Sequence, residues 1–457
     1  MQLDQFRISI TACLREVLQC IEKNHHGMIF FTDEYEAVVG VATDGDIRRH
    51  LLEDGTLDDE ASMCANVDFV WSKADTPREI LLKKLDDQIR LIPLLDENMR
   101  LVDVVSRDHL PVQAEGSVYA RARAPVRISF GGGGSDLTHY FSGANSGAVI
   151  NTTISLYSHA TLRMRTDEKI FIHSMDLGEQ LRADNLSKVL ELNGNFSLIQ
   201  ALLKAIRPNF GFELYLHSDF PMKSGLGGSS VVSAVVLGCF NQFRRDQWDL
   251  HELAEISYQA ERHHLNVAGG WQDQYAAVFG GFNFMEFHME QNIVHPLRIP
   301  DDILLELEES LLLCDTGTTH ESGDIHADQR EKMATENISS MVQASVDLSY
   351  EMRNHLLRGR LLHFAQAMDK AWQYKRQLSK KISTPQLDQI YSEAKANGAV
   401  AGKLLGAGGG GFFLFYVPAY QKHRLISHLQ GLGLGVRPFR FESNGLQAWT
   451  AREKTNH

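Results

Sequence analysis

Pro221-Met222-Lys223-Ser224-Gly225-Leu226-Gly227-Gly228-Ser229-Ser230 is the stretch whose reading decides the fold. A strand-like run, Phe212-Glu213-Leu214-Tyr215-Leu216, enters it through Asp219-Phe220-Pro221. Val231 to Phe240, apolar and rich in small residues, follows with the character of a buried helix. Glycines directly ahead of a helix leave its first backbone N–H groups free at the positive end of the dipole, which favours an anion. The two serines have two readings: they cap the helix, or one of them ligates Mg²⁺ beside phosphates.

Two further glycine-rich segments lie far away in the chain. Gly131-Gly132-Gly133-Gly134-Ser135-Asp136 follows an edge-like strand led by proline, Ala124 to Phe130. Gly406-Ala407-Gly408-Gly409-Gly410-Gly411 precedes an apolar strand, Phe412 to Val417. Several glycine loops converging on one ligand predict a phosphate cradle. Two other phosphate-binding patterns fail on context. Gly398-Ala399-Val400-Ala401-Gly402-Lys403-Leu404 has the wrong spacing for a P-loop and no hydroxyl after the lysine. Gly406-x-Gly408-x-x-Gly411 is followed by a strand, where a dinucleotide fold requires a helix.

The 457 residues, 43% hydrophobic and 23% charged, have the composition of a folded, soluble protein of about three domains. A formal net charge of −13 argues against nucleic acid and anionic membrane as partners. The five cysteines form no C-x-x-C, which predicts reduced thiols and a cytoplasmic location. No run approaches the ~18 apolar residues of a transmembrane helix, and the N-terminus lacks the pattern of a signal peptide.

Residues 1–115 carry an internal repeat. The first copy reads helix 14–21, strand 27–31, strand 37–42, then a helix opened by Thr43-Asp44-Gly45-Asp46. The second reads helix 77–84, strand 91–95 and strand 101–105. The segment resembles a tandem CBS pair. That likeness implies an adenosine nucleotide held by Thr43 and Asp46, and homo-oligomer formation through the pair; a purely structural or dimerising module is the alternative. The second copy departs from the pattern, with Asp103 for glycine and His109 for aspartate. Arg107 to Ser117 reads as a linker.

Taken in order, three strings resemble the motifs of the GHMP kinase superfamily: Pro125 to Asp136, Pro221 to Ser230, and Lys403 to Phe412. With Gly269-Gly270-Trp271-Gln272-Asp273-Gln274-Tyr275 added, the likeness points to the heptose 7-phosphate kinase branch. It implies an α+β fold, with a ribosomal-protein-S5-like half over 118–300 and a ferredoxin-like half over 301–457. The implied reaction is ATP-dependent phosphorylation of a sugar phosphate at the anomeric hydroxyl, with Mg²⁺. By resemblance Asp273 is the base and Arg127 the charge-stabilising partner. Pro221, Lys223, Gly225, Leu226, Gly227, Gly228, Ser229 and Ser230 hold ATP, and Ser229 with Glu261 holds the metal. Asp136, Gly133, Gly134, Gly408 and Gly409 face the sugar. Thr316 to Gly323 lacks the basic residue of that branch, for which Arg123, Lys223 and Lys403 are candidate substitutes. Another sugar-1-kinase, of fucose type or for an unphosphorylated sugar, and an inactive nucleotide-sensing protein are the competing readings.

Overall fold

Alternation marks the start of the larger part of the chain. In strand β7 (Val118–Gly131), Ala120, Ala122 and Ala124 are buried between more exposed neighbours, the period expected where one face meets a core, and from Ala124 to Gly131 every residue is buried. The structure is a computed structural model and describes residues 3–86, 89–110, 118–142, 145–222, 224–265, 268–318, 325 and 339–452. Lys223, residues 319–323 of the threonine-rich loop and linker residues 111–117 lie outside that set.

The chain divides into two compact units, Met1–Glu115 and Gly116–His457. The first is built twice over. Its strands are β1 (Arg7–Ser9), β2 (Met28–Thr32), β3 (Val38–Thr43), β4 (Ser72–Lys73), β5 (Leu91–Leu95) and β6 (Leu101–Ser106). β1 runs parallel to β2 and β2 antiparallel to β3; β4, β5 and β6 repeat that order and sense. Helices α1 (Leu14–Asn24), α2 (Asp44–Leu52) and α3 (Arg78–Lys84) complete the copies. Thr43 caps α2: its hydroxyl accepts from the Asp46 N–H at 3.3 Å, and Asp46 accepts from the Thr43 N–H at 2.9 Å and hydroxyl at 2.7 Å. Asp103 and His109 face each other at 3.6 Å in the second copy.

In the second unit, β7 pairs along most of its length with β8 (Gly147–Met164). Around them lie β9 (Ile170–Ser174), β10 (Glu179–Ala183), β11 (Phe212–Ser218), β12 (Asn283–Phe287) and β13 (Asn292–Pro296). A four-stranded sheet, β15-β16-β14-β17, is made of β14 (Leu311–Asp315), β15 (Ala401–Leu404), β16 (Phe412–Tyr416) and β17 (Gly435–Arg437). The chain then returns across the division expected at residue 300. β18 (Phe441–Glu442) pairs with β8, and β19 (Gln447–Arg452) pairs with β7.

β7 starts earlier than the sequence suggested, and only its second half is an edge. β19 covers it from Val118 to Arg123, and Pro125 stands just beyond, where a missing N–H costs no ladder bond. Helices α4 (Gly228–Asn241), α6 (Gln272–Phe279), α7 (Ser339–Leu357), α8 (Leu361–Lys375) and α9 (Pro385–Ala396) pack on these sheets, and α5 (Leu250–Gln259) packs on α4 and α6. One continuous core joins both sheets of the unit. Among the described residues, no helix is long and apolar enough to cross a membrane.

Phe413 locks α8 to the smaller sheet. It is fully buried, edge-on to Trp372 at 5.9 Å and stacked on Phe415 at 5.2 Å. Phe413→Ala should cost about 3–5 kcal/mol of stability, read by urea denaturation; a loss under about 1 kcal/mol would contradict this packing account.

Candidate active site

The turn ahead of α4 is as glycine-rich spacing predicts. Gly227 is its N-cap residue, and the first capping bond within the helix runs from the Val231 N–H to the Gly227 carbonyl at 3.1 Å. The N–H groups of Gly228, Ser229 and Ser230 therefore precede any intrahelical acceptor and point out of the helix end. The Leu226 side chain is fully buried, so it anchors the turn and offers a ligand only its backbone. Pro221 is exposed at the start of the motif.

Glu261 sits behind this turn. A uniform helix over 251–265 would leave it at the edge of the apolar face, but α5 passes into a π-turn over Ala260–His264. A π-turn inserts one residue per turn and rotates the following side chains; Glu261 ends buried, 2% exposed. Its carboxylate accepts from Ser229 at 2.5 Å, from Ser230 at 2.9 Å and from the Gln274 amide at 3.1 Å. The Ser229 hydroxyl and Glu261 carboxylate are hard oxygen donors, the type Mg²⁺ takes when phosphates complete its shell. Among the described residues no group of three or more His, Cys, Asp or Glu could hold a metal by itself.

Arg127 and Asp273 form the centre. Arg127 Nε and Nη2 donate to the two Asp273 oxygens at 2.8 and 2.9 Å, and Nη1 donates to the Gly225 carbonyl at 2.7 Å. Arg127 is buried, while the Asp273 side chain keeps 24% of its surface open. A Cβ on Gly227 would stand 3.5 Å from that carboxylate. The phosphate-type turn and the aspartate therefore adjoin. Asp136 is buried with both oxygens in use: Oδ1 accepts from the Gly134 N–H at 2.9 Å and Oδ2 from the Gln272 N–H at 3.3 Å. It ties the first glycine loop to the start of α6.

The third glycine loop lies directly on the second. A Cβ on Gly406 would come within 2.7 Å of the Gly225 Cα, and one on Gly225 within 2.9 Å of the Leu405 carbonyl oxygen. Only glycines allow that approach. The Gly409 N–H is taken by the Ile382 carbonyl at 2.9 Å, so this residue shapes the loop and has no donor to spare for a ligand. Gly408 also packs against Ile382, where a Cβ would meet its Cα at 2.8 Å.

Two buried lysines complete the site. Lys403 is no surface charge: its ammonium donates to the Ser129 carbonyl at 2.7 Å, and burial, with Lys375 and Arg127 nearby, pushes its pKa well down. Lys375, at the end of α8, donates to the Gly406 carbonyl. Burial, with Arg127 beside it, lowers its pKa to about 8 against the pull of Asp136 and Asp273. Sequence reasoning missed Lys375. The signal was there: it continues the buried face of α8 that runs through Leu361, Phe364, Ala365, Met368 and Trp372, and a lysine on an apolar stripe is unusual. Arg123 is bonded to Gln447 at 2.8 Å and stacked over Tyr157.

In the unfolded chain a lysine keeps its proton to about 10.5, whereas folded Lys375 loses it near 8. Between those values the unfolded state binds more protons, so folding stability rises with pH. Wild type should gain roughly 3 kcal/mol over Lys375→Met across that window. Urea denaturation at pH 7, 8, 9 and 10 measures the difference; a pH-independent gap would refute it.

The GHMP kinases N terminal domain model matches residues 196–281 and the GHMP kinases C terminal model residues 352–425. D-glycero-alpha-D-manno-heptose 7-phosphate kinase of Campylobacter jejuni is 36% identical over 335 residues, 72% of this chain and 98% of that protein. L-fucokinase/L-fucose-1-P guanylyltransferase of Bacteroides fragilis is 29% identical over 64% of this chain, but only 34% of that protein is covered. The crystal structure of a D-glycero-D-manno-heptose 1-phosphate kinase from Bacteroides thetaiotaomicron superposes with a TM-score of 0.62 at 29% identity, covering 73% of this chain and 100% of that one. A relative this similar along nearly its whole length settles the family: the chain belongs to the GHMP kinases and is an ATP-dependent phosphotransferase.

Proposed function

We propose that the protein transfers the γ-phosphoryl group of ATP to the anomeric hydroxyl of D-glycero-D-manno-heptose 7-phosphate, giving the 1,7-bisphosphate. The observation that carries this reading is the Arg127–Asp273 pair set against the open N–H groups of α4. The heptose 7-phosphate kinase likeness, over 98% of that protein, supplies the acceptor.

The chain's own residues divide the work. The N–H groups of Gly228, Ser229 and Ser230 bind the triphosphate at the helix end. Ser229 and Glu261 would hold Mg²⁺, which would neutralise charge on the phosphate oxygens. Arg127 occupies one lone pair on each Asp273 oxygen and fixes the carboxylate's plane. The outer lone pairs stay free to take the proton of the acceptor hydroxyl. The remaining Arg127 N–H groups face charge building on the transferred phosphoryl. Asp136, through Gly134 and Gln272, keeps the sugar-facing loop registered on the base.

We also read the N-terminal unit as a tandem CBS pair that binds an adenosine nucleotide, on the support of its duplicated sheets. Thr43 and Asp46 are each other's partners in the capping box, so a ligand ribose must replace those bonds.

Supplied with Mg-ATP and a panel of sugars and sugar phosphates, the protein should release ADP fastest with heptose 7-phosphate. Asp273→Asn should lower kcat by roughly 10²–10⁴-fold; unchanged turnover would remove Asp273 as base. A fucose-type preference in the panel would replace the acceptor assignment. AMP should raise the melting temperature of the full-length protein and lose that effect in Asp46→Ala. Absence of a shift in wild type would leave the N-terminal unit a structural module.

A further inference from the structure

Two buried polar side chains that the phosphoryl-transfer account leaves unused meet beside Gly133. Gln272 adjoins Asp273 at the start of α6, and its amide oxygen has no hydrogen-bond partner. Lys375 reaches the same place from α8. Its ammonium has three donors, and one goes to the Gly406 carbonyl. A Cβ on Gly133 would stand 3.7 Å from Gln272 Nε2 and 3.9 Å from Lys375 Nζ. Gly133 does not have the positive φ of its neighbours Gly132 and Gly134. Glycine is therefore not demanded there by the backbone; it leaves a gap between an amide and an ammonium.

A buried amide oxygen without a partner and a buried ammonium are each unfavourable. Together they suit a polyol, whose hydroxyls can donate to the amide oxygen and accept from the amide nitrogen and the ammonium. We propose that Gln272 and Lys375 form a hydroxyl-reading subsite for the acceptor sugar, in which the Gln272 side-chain amide hydrogen-bonds the 2-hydroxyl and Lys375 Nζ donates to an oxygen of the same sugar. This rests on Asp273 facing the anomeric hydroxyl: Asp273 lies within electrostatic reach of Lys375, and the 2-hydroxyl is the group next to the anomeric one. Asp136, held on Gly134 and on the Gln272 N–H, keeps the two walls of the gap in register.

The charge on Lys375 makes the subsite pH-dependent. Asp136 and Asp273 favour the ammonium, while burial and Arg127 oppose it, and Lys403, whose own pKa burial pushes well down, lies close by. In the free enzyme it is cationic below about 8 and neutral above. The acceptor's kcat/KM, which reports free-enzyme groups, should fall as pH rises through that value.

Steady-state kinetics with Mg-ATP, heptose 7-phosphate and its 2-deoxy analogue tests the proposal. Gln272→Ala, Lys375→Met and Gly133→Ala should each raise the acceptor KM about tenfold to hundredfold, and the KM for ATP should move less than about twofold. Gln272→Ala should narrow the preference for the parent sugar over its 2-deoxy analogue. Lys375→Arg should keep much of the affinity and lose the fall above pH 8. Should Lys375→Met fail to fold, Gly133→Ala and the wild-type pH profile decide the same question. Normal acceptor KM in the variants that fold, with an active wild type, sinks the subsite and leaves the kinase reading standing. A wild type that releases no ADP with any sugar sinks both.

Discussion

Gly225 and Gly406 meet backbone to backbone, and the site exists because they do. One belongs to the loop entering α4, the other to the loop between β15 and β16, so the contact joins the two sheets at one point. Each loop then offers a carbonyl to a buried cation. Gly225 receives Arg127, and Gly406 receives Lys375. A side chain at either glycine would force the loops apart and take those cations away from Asp273.

The electrostatics follow from that convergence. Arg127, Lys375 and Lys403 are all buried, which is tolerable only with compensation. Asp273 and Asp136 supply part of it, and the carbonyls of Gly225, Gly406 and Ser129 supply more. Burial lowers the pKa of Lys375 and Lys403, and a triphosphate bound beside them would add negative charge that favours their ammonium forms.

The sites differ in how firmly they are made. Thr43 and Asp46 in the N-terminal unit are satisfied by one another, in a motif that also serves as an ordinary helix cap. Around Asp273, polar groups are left over: the N–H groups at the start of α4, the Gln272 oxygen and two ammonium donors of Lys375. Unused hydrogen-bonding capacity in a buried place is what separates a binding site from a structural cluster.

Local patterns settled much of this protein in advance. The duplicated helix–strand–strand order of the first 115 residues, the glycine turn before a buried helix and the failure of the P-loop and dinucleotide patterns are short-range facts, readable from period and spacing. So are Arg127 and Asp273 as candidates, since their motifs carry them. Three features needed the folded chain. The return of β18 and β19 to the larger sheet is a pairing across some 300 residues, for which no local pattern codes. The burial of Glu261 depends on a π-turn that shifts helical phase, and residue periodicity assumes a constant phase. The assembly of Lys375 with Gln272 and Gly133 joins three separate elements, and only close packing of the glycine loops brings them within reach.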